Sequence, residues 1–115
     1  MRTHVPVVWW ATRVEVHSAL ERLRTDGAIS AAAYIASKQR LELLLASWRE
    51  IQPTDPLRDL ACIQLGRFHL RASDALQLAA ALVWCKQRPK GRLFVCNDQR
   101  LSNAAMQAGF DSAQA

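Results

Sequence analysis

Three acidic residues stand where they could do chemistry together. Glu15 lies in the first turn of a predicted helix, Asp74 at the entrance of the most apolar helix, and Asp98 directly after a predicted strand. In a mostly parallel α/β sheet, helix N-termini gather beyond the carboxyl ends of the strands, so we expect these acids at one end of the sheet. Neighbouring carboxylates raise one another's pKa unless a cation lies among them. Because the ligands would be oxygens, the pattern favours Mg²⁺ or Mn²⁺.

Each acid also has an ordinary structural explanation. Thr12 and Glu15 have the spacing of a capping box, in which both side chains bond to the first helical amides. Ser73 could cap the next helix while Asp74 complements its dipole, and Asp98 precedes a helix in the same way. On spacing alone, three separate helix caps and a shared metal site both remain open.

The elements that must position these acids follow from hydrophobic periodicity. Residues 75–83 are almost all apolar, so their helix should be packed on most of its circumference. The remaining pattern alternates strands and helices, which predicts an α/β fold with a mostly parallel sheet. The predicted elements are a buried strand over Val5–Trp10, a helix over Thr12–Gly27, a helix capped by Ser30 with an apolar stripe from Tyr34 to Trp48, a brief strand or extended link over Arg49–Pro53, a helix capped by Asp55 and running to Phe68, the central helix over Ser73–Gln87, a buried parallel strand over Leu93–Cys96, a helix over Gln99–Gln107 stopped by Gly109, and an edge strand from Phe110.

Composition narrows the class of protein and its surroundings. A chain of 115 residues is long enough for one domain with a core. The net charge is +5, which favours a polyanionic partner. Cys62, Cys85 and Cys96 have no zinc-site spacing, and we expect them to be small buried residues. Since no apolar run reaches the ~18 residues of a membrane span and the start lacks a signal-peptide layout, we expect a cytoplasmic protein that contacts no membrane.

Three segments resemble the acidic motifs of PIN-domain nucleases, in the same order. They are TRVEV at 12–16, RASDALQLA at 71–79 and FVCNDQRL at 94–101. Within that family the similarity is greatest to VapC-type toxins of toxin–antitoxin pairs. The resemblance implies a single PIN-like domain over residues 1–115, folded as a three-layer α/β/α sandwich with a mostly parallel sheet. It also implies a cytoplasmic endoribonuclease that uses Mg²⁺ or Mn²⁺ and is restrained by a cognate antitoxin. Glu15, Asp74 and Asp98 would be its catalytic metal ligands, with Asn97 beside them.

The resemblance has two departures. Family members begin with a strand that ends in an Asp, followed by a helix, and both would precede Val5. We therefore expect an N-terminally incomplete copy, through a start placed too far downstream, a degraded gene or completion by a partner. Trp9 and Trp10 stand where most members have smaller residues, so the floor of the cleft should differ.

Basic residues next to the acids are candidates for binding RNA phosphates. Arg13, Arg71 and Arg100 each lie within three residues of one of the three acids. Arg71 could equally form a simple ion pair with Asp74. His17 is placed to shuttle a proton, although a partly exposed helix histidine with no such role fits its position as well.

Two other functions remain open at this point. One is a catalytically inactive PIN-like domain that binds RNA or an antitoxin, and the other is a structural α/β domain whose acids are only caps. The stripe from Tyr34 to Trp48 could dock an antitoxin helix or a second copy of the chain, although core packing is the ordinary role of such a stripe.

Overall fold

The computed structural model describes residues 5–113, which divide into two compact units. One unit extends to Glu50 and the other begins at Ile51. Helices make up 61% of the structure, and the short strands form two separate two-stranded sheets. The predicted mixed α/β class is therefore confirmed.

The first unit consists mainly of two helices and one small sheet. Its elements are β1 (Val7–Trp9), α1 (Thr12–Thr25), α2 (Ala31–Ser47) and β2 (Arg49–Ile51), which crosses the boundary between the units. The sheet pairs β1 with β2, and the amide of Arg49 donates to the carbonyl oxygen of Pro6 at 2.9 Å. The predicted first strand is thus present, although Val7 and Val8 are only half-buried, and the segment predicted as a brief strand or extended link forms the strand β2. Trp9 is buried, whereas Trp10 is exposed.

The two helices of this unit begin in different ways. Ser30 caps α2 as predicted, since its Oγ accepts a hydrogen bond from the amide of Ala33 at 3.1 Å. The capping box predicted at Thr12 and Glu15 is wrong. Ala11 is the N-cap of α1, and it makes no side-chain hydrogen bond. The chain enters α1 from a turn after β1, and this turn moves the helix start one residue earlier than a Thr12 cap allows.

The apolar stripe of α2 is only partly covered. Leu41 is the one α2 residue that is buried, and Ile35 and Leu43 are 57% and 74% exposed. Core packing, the ordinary role of such a stripe, therefore accounts for only part of it. Where α1 meets α2, the hydroxyl of Tyr34 donates to Glu21 Oε1 at 3.1 Å.

The second unit contains the central apolar helix, two further helices and a two-stranded sheet. Its elements are α3 (Asp55–Arg67), α4 (Ala72–Trp84), β3 (Leu93–Val95), α5 (Gln99–Ala108) and β4 (Asp111–Ala113). β3 and β4 are parallel, with Leu93 opposite Asp111 and Val95 opposite Ala113. The predicted final edge strand is therefore present.

The core of this unit lies around α4, as the apolar run at 75–83 predicted. Ala75, Leu78 and Ala79 have no exposed surface. The core cluster joins α4 to α5 and to the residue before β4, and its members are Leu78, Leu82, Cys85, Leu101, Ala104, Ala105 and Phe110. Burial of a leucine side chain contributes roughly 1.5–3 kcal/mol, so this cluster is the main source of hydrophobic stability in the unit.

Two predictions of burial are wrong. The strand β3 is not buried, because Leu93 and Val95 are 61% and 53% exposed on the outer face of a sheet of only two strands. Cys62 is exposed, while Cys85 is buried and Cys96 is half-buried.

The caps of α3 and α4 also differ from prediction. Thr54, not Asp55, caps α3, and its Oγ1 accepts from the amide of Leu57 at 3.3 Å. Ser73 does not cap α4, since the N-cap is Arg71 and no side chain bonds there. Gly109 ends α5 as predicted, in the left-handed conformation with φ of 115°.

Candidate metal and phosphate site

Asp74 lies in the first turn of α4 and is half-buried. The helix begins with Arg71 in an extended conformation, and the carbonyl of Arg71 accepts from the amide of Ala75 at 3.0 Å. Burial raises the pKa of Asp74 above its ordinary value, because the partly buried carboxylate loses hydration of its charged form. Asp74 is therefore a carboxylate whose charge is poorly compensated.

Asp98 lies at the N-terminus of α5, after β3. Its Oδ1 accepts a hydrogen bond from the amide of Leu101 at 2.9 Å, so this side chain is a true N-cap. The sequence prediction that Asp98 directly follows a strand and leads into a helix is confirmed. The cap fixes the side chain at the start of α5, where the helix dipole favours its negative charge.

The structure brings Asp74 and Asp98 together. After burial, repulsion by Asp98 is the next largest cause of the raised pKa of Asp74, while Arg71 and Arg100 act to lower it. Two carboxylates and two guanidinium groups thus share one region between the starts of α4 and α5. Arg71 and Arg100, both predicted as phosphate ligands, are positioned beside the predicted acids.

Cys96 belongs to the same region, and sequence reasoning missed it. Its Sγ donates to the carbonyl oxygen of Asp98 at 3.5 Å. Burial raises the pKa of the Cys96 thiol, a hydrogen bond from the Asp98 backbone to the sulfur lowers it, and repulsion by Asp98 and Asp74 raises it further. The thiol is therefore protonated at neutral pH and is a poor nucleophile. Its place at the end of β3, two residues before Asp98, was the available signal.

Glu15 belongs to the first unit, in the first turn of α1, where it is half-buried. Because Asp74 and Asp98 belong to the second unit, the grouping of Glu15 with them stays a prediction. Within the described part of either unit, no group of three or more His, Cys, Asp or Glu side chains is arranged to hold a metal ion.

Arg13 has a partner that the sequence did not suggest. Its Nη2 lies 3.3 Å from Glu50 Oε2, and the Glu50 side chain is only 19% exposed. The same oxygen accepts a hydrogen bond from the indole nitrogen of Trp48 at 3.1 Å. The Arg13 side chain is 51% exposed, so part of it remains accessible to a ligand.

His17 is held by its own helix. Its Nδ1 donates to the carbonyl oxygen of Arg13 at 2.7 Å, because a carbonyl can only accept. This bond fixes the tautomer with the proton on Nδ1 and gives the ring a local structural partner. The proton-shuttle role of His17 stays a hypothesis.

The donor set at Asp74 and Asp98 fits a hard divalent cation. Mg²⁺ is commonly held by one or two carboxylates, with water and substrate phosphate completing its shell. Carboxylate oxygens provide such ligands here, and a cation would relieve the repulsion that raises the pKa of Asp74.

The fold and site define a mixed α/β protein with a paired-aspartate site at two helix N-termini. Comparison with protein-family models, curated proteins and solved structures finds no match to the chain. Across residues 5–113, none of the helices has the length and apolar character to cross a membrane.

Proposed function

We propose that this chain is a metal-dependent endoribonuclease of a toxin–antitoxin pair, a VapC-type member of the PIN-domain family. The proposal includes a PIN-like three-layer α/β/α sandwich and a cytoplasmic location. The observation that carries it is the electrostatic coupling of Asp74 and Asp98 at the starts of α4 and α5. Two acids far apart in sequence meet beside two arginines, which is an arrangement suited to a cation and a phosphate group.

In the proposed site, Asp74 and Asp98 hold Mg²⁺ or Mn²⁺, with Glu15 as the third carboxylate. Arg71 and Arg100 lie within electrostatic range of Asp74 and would bind the phosphates on either side of the scissile bond. Arg13 would add a phosphate contact with the part of its side chain that is exposed beside Glu50.

The chemistry is hydrolysis of an RNA phosphodiester bond. A divalent cation supplies activation of water and stabilisation of the charge that develops on the phosphate. The protein positions the reactants, because the cap on Asp98 fixes one carboxylate while α4 fixes the other. One of the three carboxylates could also assist as the general base.

Conservative charge removal tests the site. Asp74→Asn and Asp98→Asn should each weaken Mn²⁺ binding, measured by calorimetry, and abolish Mg²⁺-dependent cleavage of a structured RNA. Asp55→Asn is the matched control, because Asp55 is also an aspartate in the first turn of a helix and lies in the same unit. Glu15→Gln should weaken Mn²⁺ binding to a similar degree if Glu15 is the third ligand. Cleavage that persists in EDTA, or that survives Asp74→Asn, would refute the proposal.

The second candidate function is a catalytically inactive PIN-like domain that binds RNA or an antitoxin. It is favoured by the bond from the Leu101 amide to Asp98, because capping is a sufficient structural role for that carboxylate. In that case Asp98→Asn, which keeps the cap, would leave both metal affinity and RNA binding unchanged.

The exposed side of α2 supports a protein partner in either function. Ile35 and Leu43 lie within about 80° of each other around the helix and are 57% and 74% exposed, which is suited to an apolar antitoxin segment. Leu43→Glu should abolish antitoxin capture without changing RNA cleavage. Light scattering of the isolated chain distinguishes an antitoxin from a second copy of the chain as the partner of α2. A homodimer formed through α2 would be seen for the natural chain and would dissociate in the Leu43→Glu variant.

A further inference from the structure

The segment between α4 and β3 is the most basic part of the described chain. Lys86, Arg88, Lys90 and Arg92 fall within seven residues, and no acidic residue occurs between Asp74 and Asp98. We refer to residues 86–92 as the basic loop. It follows the C-terminus of α4, so Asp74 and the basic loop lie at opposite ends of one helix.

The positive charges of the basic loop are exposed and uncompensated. All four basic side chains are exposed, and none takes part in the ion pairs formed among residues 5–113. Asp59 lines a groove with Lys86, and the amide of Asp111 donates to the carbonyl oxygen of Arg92 at 2.9 Å, yet neither acid forms an ion pair with the loop. Positively charged side chains that recur at every second residue and pair with no acidic side chain create a strong local positive potential.

The backbone of the basic loop is held by hydrogen bonds to the end of α4 and within the loop itself. Lys86 and Gln87 both adopt left-handed conformations, with φ of 55° and 58°. The amide of Gln87 donates to the carbonyl of Leu82 at 2.7 Å, and the amide of Arg92 donates to the carbonyl of Pro89 at 2.9 Å. A loop held in this way has little conformational entropy to lose when it binds a ligand.

An exposed aromatic ring lies beside these charges. Trp84, the last residue of α4, is 38% exposed, and the guanidinium carbon of Arg92 lies 5.1 Å from the centre of its ring. Bases of single-stranded nucleic acids stack on such rings and on guanidinium planes, while neighbouring cations bind the phosphates. An acidic peptide would use the charges but would offer no base to stack on the ring.

We propose that the basic loop and Trp84 form a binding surface for single-stranded nucleic acid. Trp84 is ten residues beyond Asp74 in α4, which separates the two sites by about 15 Å along the helix axis. The surface is therefore distinct from the paired-aspartate site. Its binding requires neither a metal ion nor cleavage, so it can fail or succeed independently of the nuclease proposal.

The test measures binding of a fluorescein-labelled single-stranded RNA by anisotropy in EDTA, over a range of salt concentrations. The variant Lys86→Gln/Arg88→Gln/Lys90→Gln should bind about 10- to 100-fold more weakly at 0.1 M salt, and the slope of log K against log salt should fall by about 2. Arg22→Gln/Arg40→Gln/Arg49→Gln is the matched control, because it removes three exposed positive charges elsewhere and gives the same net charge. The control should leave affinity and slope nearly unchanged.

Trp84 tests the stacking component separately. Trp84→Leu should weaken binding to the single strand about 5- to 100-fold without changing the salt slope, since stacking releases no counterions. Trp84→Phe should recover part of the loss, and the matching RNA duplex should be insensitive to either change.

Three outcomes would overturn this proposal. Equal losses in the loop variant and the control variant would mean that binding follows net charge alone. Equal affinity for single strand and duplex, with no effect of Trp84→Leu, would remove the stacking surface. Loop-dependent binding to phosphatidylserine vesicles or to polyglutamate, without binding to RNA, would assign the loop to a different class of partner.

Discussion

The amide of Leu101 donates a hydrogen bond of 2.9 Å to Asp98 Oδ1, and after burial the charge of the same Asp98 is the next largest cause of the raised pKa of Asp74. One side chain thus has two effects, a local one on α5 and an electrostatic one on a neighbouring helix. The two can be separated, because asparagine caps a helix as well as aspartate does but carries no charge.

Asp98→Asn should change the free energy of unfolding little, whereas Asp98→Ala should lower it by about 1 kcal/mol. Urea denaturation measures both changes, and Ser30→Ala, which removes the cap of α2, provides a reference for the loss of a cap. In the Asp98→Asn variant the pKa of Asp74, followed by NMR, should fall because its acidic neighbour is gone. Equal stability of the alanine and asparagine variants would contradict the capping role.

The raised pKa of Asp74 makes stability depend on pH. Since the folded state binds the Asp74 proton more tightly than the unfolded state does, stability falls as pH rises from the ordinary value of 3.8 through the raised folded value. Above that window the loss is constant. Asp74→Asn should therefore be more stable than the natural chain at pH 7, and the difference should vanish below pH 3.8.

Thermal unfolding at several pH values in EDTA measures this difference. Asp55→Asn is the control, because Asp55 is 84% exposed and pairs with Arg58 in water. A natural chain that is more stable than Asp74→Asn at pH 7 without metal would show that the carboxylate is compensated in the folded state.

Gly109 and Gly66 should respond to alanine in opposite directions. A Cβ at position 109 would lie 2.9 Å from Pro89 Cγ, at a φ of 115°. Gly109→Ala should lower the free energy of unfolding by about 1–3 kcal/mol. Gly66 lies in α3 with open space around its Cα, so Gly66→Ala should raise it by about 0.5–1 kcal/mol. Urea denaturation of the two variants is the measurement, and a neutral Gly109→Ala would contradict the contact with Pro89.

Tyr34 controls the ionisation of Glu21. The hydrogen bond from the Tyr34 hydroxyl is the largest cause that lowers the pKa of Glu21, followed on the lowering side by Arg24 and then Lys38. Tyr34→Phe should therefore raise this pKa toward 4.5, and Lys38→Gln should raise it less. Carbon-detected NMR titration measures both shifts.

The sign for stability follows from the lowered pKa of Glu21. Ionised Glu21 stabilises the folded state above pH 4.5, the ordinary pKa of its side chain. This stabilisation is lost as the pH falls through the lower pKa that Glu21 has in the folded state. Tyr34→Phe should flatten this part of the pH dependence. A larger effect of Lys38→Gln than of Tyr34→Phe would reverse the assigned order of causes.

The position of most helices and strands could be predicted from the sequence, because caps and turns within a few residues fix where these elements begin and end. Ser30 caps α2, Pro56 occupies the first turn of α3, and Gly109 ends α5 in the left-handed conformation that glycine adopts most readily. The almost wholly apolar run at 75–83 also identified the central helix, since such a helix must be surrounded by other residues.

Tertiary packing sets which surfaces are covered and which residues distant in sequence come together. An apolar stripe predicts a helix but not its neighbour, so α2 could keep Ile35 and Leu43 exposed, and β3 could stay at the surface of a two-stranded sheet. The meeting of Asp74 with Asp98 depends on how α4 and α5 pack through Leu78, Leu101 and Ala105. Burial and Coulomb repulsion act between residues that are distant in sequence, whereas caps and turns act within a few residues. Caps and turns could therefore be predicted from the sequence far better than burial and charge contacts.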